Sequence, residues 1–246
     1  MSSLLAFRHA EAAVNRPDLY VSGRGDSTYP ITNTGVAQAQ KAGVWAVETF
    51  EWIRNGDYTA AVSRFIRAQQ TFEHMELPQA PLIICSGLIE HDWGNFMGFN
   101  PPEELRPSFD ASYEVYIDVK APSGESTLDL YQRTKTTLHE LVNQFSAHHL
   151  VIVAHGRTLT VLRMIVEGMP ATDKGWQYMR RHTQELPNCG ALYYPEFRLQ
   201  VEGIPNVSER MAIVVPPYCS TQYFRWQPFV GVEFGSTLEG FEEACE

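Results

Sequence analysis

Two short polar stretches, each closing an apolar run, carry the residue types best suited to chemistry in this chain. Arg8-His9 follows SLLAF (3–7), and His155-Gly156-Arg157 follows HLVIVA (149–154). A dipeptide such as Arg-His means little alone: about half of one is expected by chance at this composition, and Arg181-His182 repeats it. What raises the first pair is the company it keeps. Ser63, then Arg67 one helical turn later, follows the apolar run YTAAV (58–62), and Glu90 follows PLIIC (81–85). Two histidines with several arginines make an anion-binding pocket. Arginines beside a cation would repel it, so no metal is expected. The chain lacks the G-x-x-x-x-G-K-[ST] loop of nucleotide-driven kinases and the G-x-S-x-G elbow of α/β-hydrolases. What remains is covalent or acid–base chemistry on a phosphoryl group: a histidine nitrogen attacks, arginines hold the oxygens and a carboxyl group protonates the leaving oxygen.

The elements that must position these residues alternate. Strands are predicted at 3–7, 58–62, 81–85 and 149–154, with later strands at 191–194 and 211–215. Helices are predicted near 35–53, from Arg64 to Met75, from Ser126 to Phe145 and from Leu159 to Val166. The first carries a small-residue stripe of Val36, Ala39, Ala42, Gly43, Ala46 and Phe50. Strand–helix alternation predicts an α/β fold, a three-layer sandwich with a mostly parallel central sheet between helices, and the near-continuous apolar strands predict burial on both faces. Ligands of such sheets collect beyond the carboxyl ends of the strands, where these polar residues fall. We read residues 1–246 as one domain, with 99–124 an excursion over the site and 226–246 a peripheral tail.

Composition bounds the rest. A hydrophobic share of 44% and a charged share of 20% fit an ordinary globular protein. No apolar run could span a bilayer and no signal-peptide pattern is seen, so no membrane partner and a cytoplasmic location are expected. Cys85, Cys189, Cys219 and Cys245 show no metal or redox spacing. The net charge of −10 argues against nucleic acid as a partner. It does not exclude a small anion, and basic charge is concentrated in fifteen arginines against four lysines.

In their order along the chain these stretches resemble the histidine phosphatase superfamily, phosphoglycerate-mutase-like branch. FRHAEAAVN is similar to its R-H-G-[EQ]-x-x-x-N opening, PITNTGVAQAQKAG to its L-T-x-x-G-x-x-Q-A helix start, and SRFIRAQQT to S-x-x-x-R-A-x-Q-T. LIEHDWGNFMG resembles L-x-E-x-x-x-G-x-x-x-G, PSGES the P-x-G-E-S before the next helix, VIVAHG the second-histidine motif, and ELPNCGALYY the later I-P-N-[CS]-x-[VI] strand. The resemblance implies that His9 attacks phosphorus and becomes phosphohistidine. Arg8, Arg67 and His155 would surround the phosphoryl oxygens, Asn15 would add a donor, and Glu90 would serve as general acid and then base. Gly156 and Arg157 would help through the helix start, and Arg24 and Arg157 are candidate substrate contacts. No cofactor is implied. His9 should hold its non-attacking nitrogen against an acceptor, expected to be a backbone carbonyl. The family glycine after the first histidine is Ala10 here, whose methyl group could crowd the pocket or demand a negative φ.

The expected activity is hydrolysis of a small-molecule phosphate monoester, with nucleotides and sugar phosphates as candidate substrates and a homodimer left open. The mutases of this branch grip the substrate carboxylate with adjacent arginines after the glutamate motif. Between Gly98 and Gly124 this chain has only Arg106 and Lys120. The alternatives carried are therefore a cofactor-type phosphoglycerate mutase and a weakly active phosphate-binding or interaction module, the latter supported by Ala10. The aromatics Trp93, Phe96, Met97, Phe99, Phe109, Tyr113 and Tyr116 either line the leaving-group side or pack the excursion onto the sheet.

Overall fold

The computed structural model describes residues 2–13, 26–94, 115–145, 149–183, 186–197, 211–215 and 223–227. Its strands are β1 (Ser2–Arg8), β2 (Tyr58–Ser63), β3 (Leu82–Cys85), β4 (His149–Ala154), β5 (Ala191–Phe197), β6 (Met211–Val215) and β7 (Tyr223–Gln227). Its helices are α1 (Asn33–Thr49), α2 (Glu51–Arg54), α3 (Ile66–His74), α4 (Thr127–Phe145), α5 (Gly156–Val166) and α6 (Asp173–Thr183).

The sheet runs β3-β2-β4-β1-β5-β6-β7. The half that carries the polar residues is parallel: β1 pairs with β4, and β2 with both β4 and β3. Beyond β1 the pairing turns antiparallel, through β5, β6 and β7. Because side chains alternate across a strand, each apolar run feeds two cores. Leu5, Phe7, Ala60, Val62, Val151 and Val153 face a cluster with Ala39, Ala42, Trp45 and Ala68 of α1 and α3. Leu4, Ala6, Ala61, Leu150 and Ile152 face the opposite one, with Leu138, Leu141, Leu159 and Leu162 of α4 and α5. The chain is thus a three-layer α/β sandwich.

Where the structure departs from the sequence expectations, the cause is local or topological. The helix predicted near 35–53 breaks at Phe50, which is extended (φ −114°, ψ 112°). Its ring sits in an aromatic cluster, 5.4 Å from Trp45, 5.4 Å from Trp52 and 4.7 Å from Tyr193, and burying it there turns the chain. Helix α5 starts at Gly156 rather than Leu159, because its first turn is Gly-Arg-Thr and carries no apolar signal. Strand β3 is an edge, and Leu82 (51% exposed) and Ile84 (47%) face outward. An apolar run cannot reveal that it lies at a margin. Helix α6 and strand β7 were not predicted as elements.

His149 opens β4 as expected; its ring stacks on Trp52 at 4.6 Å and accepts the Ser3 N–H at 2.9 Å. Most of the excursion, residues 99–114, lies outside the described residues. At its described end Ile117 is buried with Leu130, Met164 and Trp176. Of the proposed tail, Trp226 and Gln227 belong to β7 and the rest lies outside the described residues. Among the described residues no helix is long and apolar enough to cross a membrane.

Candidate active site

The carboxyl ends of β1, β4 and β2 lie side by side, and the residues that follow them form one cluster. The parallel ladder carries one residue past β1, where the His9 N–H donates to Ala154 O at 2.9 Å. His9 therefore stands beside His155, their rings 5.2 Å apart. Both are almost fully buried, at 3% and 0% exposure. The turn before β5 fixes this backbone from the other side. Asn188 Nδ2 donates to His9 O at 2.9 Å, Cys189 N–H to Arg8 O at 3.1 Å, and Arg8 N–H to Gly190 O at 2.9 Å.

The tautomer of His9 follows from its partners. A carbonyl oxygen can only accept, so the 2.7 Å contact between His9 Nδ1 and Ala10 O puts the ring proton on Nδ1. The expected backbone carbonyl is thus that of the next residue. Nε2 then bears the lone pair, and Arg67 Nε donates to it at 3.2 Å. Burial first, and the Arg67 charge second, push the His9 pKa down to about 3, so the ring is neutral near pH 7.

His155 is anchored by Ser63, the last residue of β2. Ser63 Oγ accepts the Phe65 N–H at 3.3 Å and forms a second hydrogen bond with His155 Nε2 at 2.7 Å. The other ring nitrogen, His155 Nδ1, is buried without a hydrogen-bond partner. Burial and the Arg67 charge hold its pKa well below the ordinary histidine value. Phe65 wedges these groups, its ring 5.1 Å from His155 and 5.1 Å beneath the Arg67 guanidinium.

Helix α3 brings Arg67, buried at 2% exposure, and ties it back to the nucleophile loop. Thr71 Oγ1 donates to Arg67 O at 2.6 Å and accepts the Ala10 N–H at 2.9 Å. Ala10 has no positive φ, and its side chain is fully buried in the core cluster beside α1 and α3. The methyl group thus costs no backbone strain, and the expected crowding is met by an ordinary core position. Glu11 completes the loop: its carboxylate accepts from Thr32, the N-cap of α1, at 2.7 Å.

Arg8, half-buried, donates through NH1 to Leu186 O at 2.8 Å, while its Nε is buried without a partner. Burial lowers its pKa and the nearby Glu90 carboxylate raises it. Gly156 lies between these two. A methyl group built on it would stand 3.9 Å from both Arg8 Nε and Glu90 Oε2. His155 is the N-cap of α5 and gives it no side-chain cap bond, so the amides of this first turn face the cluster uncapped by it. Glu90 Oε1 accepts the His91 N–H at 2.9 Å and Glu90 Oε2 the Arg157 N–H at 3.4 Å. The Arg157 guanidinium is sandwiched 4.9 Å from the ring of Trp93 and 4.9 Å from that of Trp176. Burial pulls its pKa down to about 10, which leaves it cationic.

The structure thus brings together Arg8, His9, Arg67, Glu90, His155, Gly156 and Arg157. Asn15 and Arg24 lie outside the described residues, as do Phe96, Met97, Phe99, Phe109 and Tyr113. Tyr116 is 48% exposed. The cluster presents guanidinium groups, the amides of a helix start and a buried imidazole nitrogen without a partner around a nitrogen lone pair. That arrangement suits a tetrahedral oxyanion such as a phosphoryl group.

The family model for the histidine phosphatase superfamily (branch 1) matches residues 4–185. The chain belongs to this superfamily. Within it, a 2,3-bisphosphoglycerate-dependent phosphoglycerate mutase of Methylobacterium radiotolerans is 28% identical over 178 residues, covering 68% of this chain and 79% of the relative. Two solved structures are similar in fold. The alpha-ribazole phosphatase from Shigella flexneri has a TM-score of 0.59 at 19% identity, covering 82% of this chain and all of the other. The mycobacterial glucosyl-3-phosphoglycerate phosphatase complexed with VO3 has a TM-score of 0.60 at 18% identity, covering 84% and 100%. At such identities the structural likeness speaks for the phosphoglycerate-mutase-like fold alone. Superfamily membership supports an enzyme acting on phosphate esters, and members of the family act on small-molecule phosphate substrates.

Proposed function

We propose that the protein is a metal-independent phosphatase that hydrolyses phosphate monoesters of small molecules through a phosphohistidine on His9. The observation that carries this reading is the state of His9: neutral, protonated on Nδ1 by its bond to Ala10 O, with the Nε2 lone pair beside Arg67 and His155. In the first step the Nε2 lone pair attacks phosphorus and the P–O ester bond breaks. Glu90 gives its proton to the departing oxygen. Arg67 moves its N–H from the lone pair to a phosphoryl oxygen, joined by Arg8 Nε, His155 Nδ1 and the first amides of α5. In the second step the Glu90 carboxylate takes a proton from water, whose oxygen attacks phosphorus. The N–P bond then breaks, the electron pair returns to Nε2, and inorganic phosphate leaves. Asn15 would add a donor to the phosphoryl oxygens. Arg24 and Arg157 would contact the rest of the substrate, with Trp93 along the Arg157 side.

Hydrolysis is favoured over mutase transfer by the cations after the glutamate motif. Lys120 is turned to Asp129, 3.8 Å away on the surface. Arg106, outside the described residues, is left without an adjacent partner in sequence. The mutase reading draws its support from the names of the sequence relatives. The test is turnover of 4-nitrophenyl phosphate without added metal, with and without His9→Ala. Turnover lost in the variant is expected; no turnover by the parent, or turnover indifferent to the substitution, contradicts the reading. Transfer to 3-phosphoglycerate faster than hydrolysis would make the protein a mutase.

A further inference from the structure

Glu90 is held in an unusual way. Its carboxylate receives the amide of its own neighbour at 2.9 Å and two long contacts, from Arg157 N–H at 3.4 Å and Thr158 Oγ1 at 3.5 Å. Arg8 and Arg157 act on it electrostatically, but among the described residues no cationic side chain hydrogen-bonds to it. Its position is therefore set by where its backbone is pinned, and that backbone is pinned from a distant stretch of chain.

The pin is the Arg133 guanidinium on α4. Its Nε and NH2 meet the two oxygens of Glu125 at 2.8 and 2.6 Å, a forked pair that fixes the plane of the group. In that plane NH1 donates to Gly87 O at 2.8 Å and NH2 to Glu90 O at 3.0 Å. The turn from β3 to Glu90 is thus clamped at both ends by one side chain. Glu125 holds the two residues that follow. Its carboxylate accepts the Asp92 N–H at 3.0 Å, its N–H donates to Asp92 O at 2.9 Å, and its carbonyl accepts from His91 Nε2 at 2.9 Å. The two loops lie flush because Gly94, at φ +50°, lacks a Cβ that would stand 2.3 Å from Gly124 N. Ser126 and Asp129 cap the start of α4 reciprocally, at 2.9 and 3.0 Å, and so fix the segment that presents Glu125.

We propose that Arg133, oriented by Glu125, is a positioning residue for Glu90 in proton transfer to the leaving group; this rests on the acid role given to Glu90 above. A lysine could keep the charge but not the fork, since its ammonium is a point charge on a flexible stem. The pair is only partly buried, with side chains 22% and 15% exposed, so as a bare ion pair it would add little stability. Its four directed bonds suit a role in geometry, where a misplacement of about 1 Å can cost ~100-fold in rate.

The consequence depends on the leaving group. A nitrophenolate departs with little need of a proton, whereas an alkoxide needs one. The test compares kcat/KM for 4-nitrophenyl phosphate and glycerol 2-phosphate in the parent, Glu90→Gln, Arg133→Lys and Glu125→Gln, with the melting temperature of each. Arg133→Lys should lower the glycerol 2-phosphate value by about tenfold or more and the 4-nitrophenyl value by less than about threefold, and Glu125→Gln should do the same more weakly. Equal losses on both substrates would overturn the proposal, since a general loss of structure or of phosphate binding does not discriminate between leaving groups. So would unchanged ratios in both variants beside a discriminating Glu90→Gln, a result that leaves the reading of the reaction standing. A non-discriminating Glu90→Gln would instead remove the acid role itself, and this proposal with it.

Discussion

The two poles of the site are built by different means. The nucleophile pole (His9, Arg67, His155, Ser63) hangs on strand ends. Its histidines are buried, the sheet ladder sets their separation, the bond to Ala10 O sets the tautomer of His9, and Ser63 Oγ holds the ring of His155. The acid pole, Glu90, sits half-buried in a loop whose shape depends on Arg133 and Glu125 of a segment some forty residues away. The group which must attack in line is held by the core, while the group that must meet varied leaving oxygens is held by side-chain clamps. One pole is preorganised by burial, and the other by a removable set of bonds.

That contrast can be broken most readily by substitution at each pole. Arg67→Ala should lower kcat/KM by about 100-fold or more for every ester, because it removes charge from oxygens that all substrates share. Glu90→Gln should cost about 100-fold on alkyl phosphates and far less on 4-nitrophenyl phosphate. Steady-state kinetics on both esters would check the pair, and a leaving-group-dependent loss at Arg67 would erase the distinction.

Ser63→Ala probes how the nucleophile pole fixes its second histidine. The loss of one buried hydrogen bond should cost about tenfold in kcat, ~1.4 kcal/mol. It should also shift the tautomer balance of His155, visible in the 15N shifts of the imidazole ring. A retained tautomer would mean that something other than the serine selects it.

Acid should act on both poles, through stability. The pKa values of His9 and His91 are pushed down to about 3, and that of His155 falls well below its ordinary value, in each case chiefly by burial. Between about 3 and 6.5 the unfolded chain binds more protons than the folded one, so stability is full above about pH 6.5 and falls as pH drops through this window. Each such histidine adds up to ~1.4 kcal/mol per pH unit to the slope. Denaturant unfolding at pH 7.5 and 5.5 should show that loss, and His9→Asn should lessen it. A flat profile would mean that these rings are protonated in the fold.

The smallest effect is expected at Ala10. Ala10→Gly should destabilise by only about 0.4–1 kcal/mol and leave kcat within about twofold, since the native φ suits alanine. A large gain in activity would mean that the methyl group does crowd the phosphate.

The nucleophile pole was the more legible in sequence, for a physical reason. Arg8, His9, Arg67 and His155 each follow a strand or sit one turn into the next helix, so local pattern places them. Glu90 could be named, but Arg133, which holds its backbone, looked like any helix arginine, because its partners lie at 87, 90 and 125. The Ser63–His155 bond joins residues 92 apart and has no local signature. In the fold, alternation predicted the parallel strands and the three layers. The break at Phe50 and the exposed side of β3 depend on aromatic packing and strand order, and neither is written in a short window.

The central claim is that the His9 Nε2 lone pair takes the phosphoryl group. Its most direct test is to quench turnover of a phosphate ester in alkali, where phosphohistidine survives, and to locate the phosphoryl group by peptide mass spectrometry, with NMR to assign the ring nitrogen. The account predicts phosphate on Nε2 of His9, and none in His9→Ala. Phosphate on His155, on Nδ1 of His9, or on no residue during active turnover would contradict it.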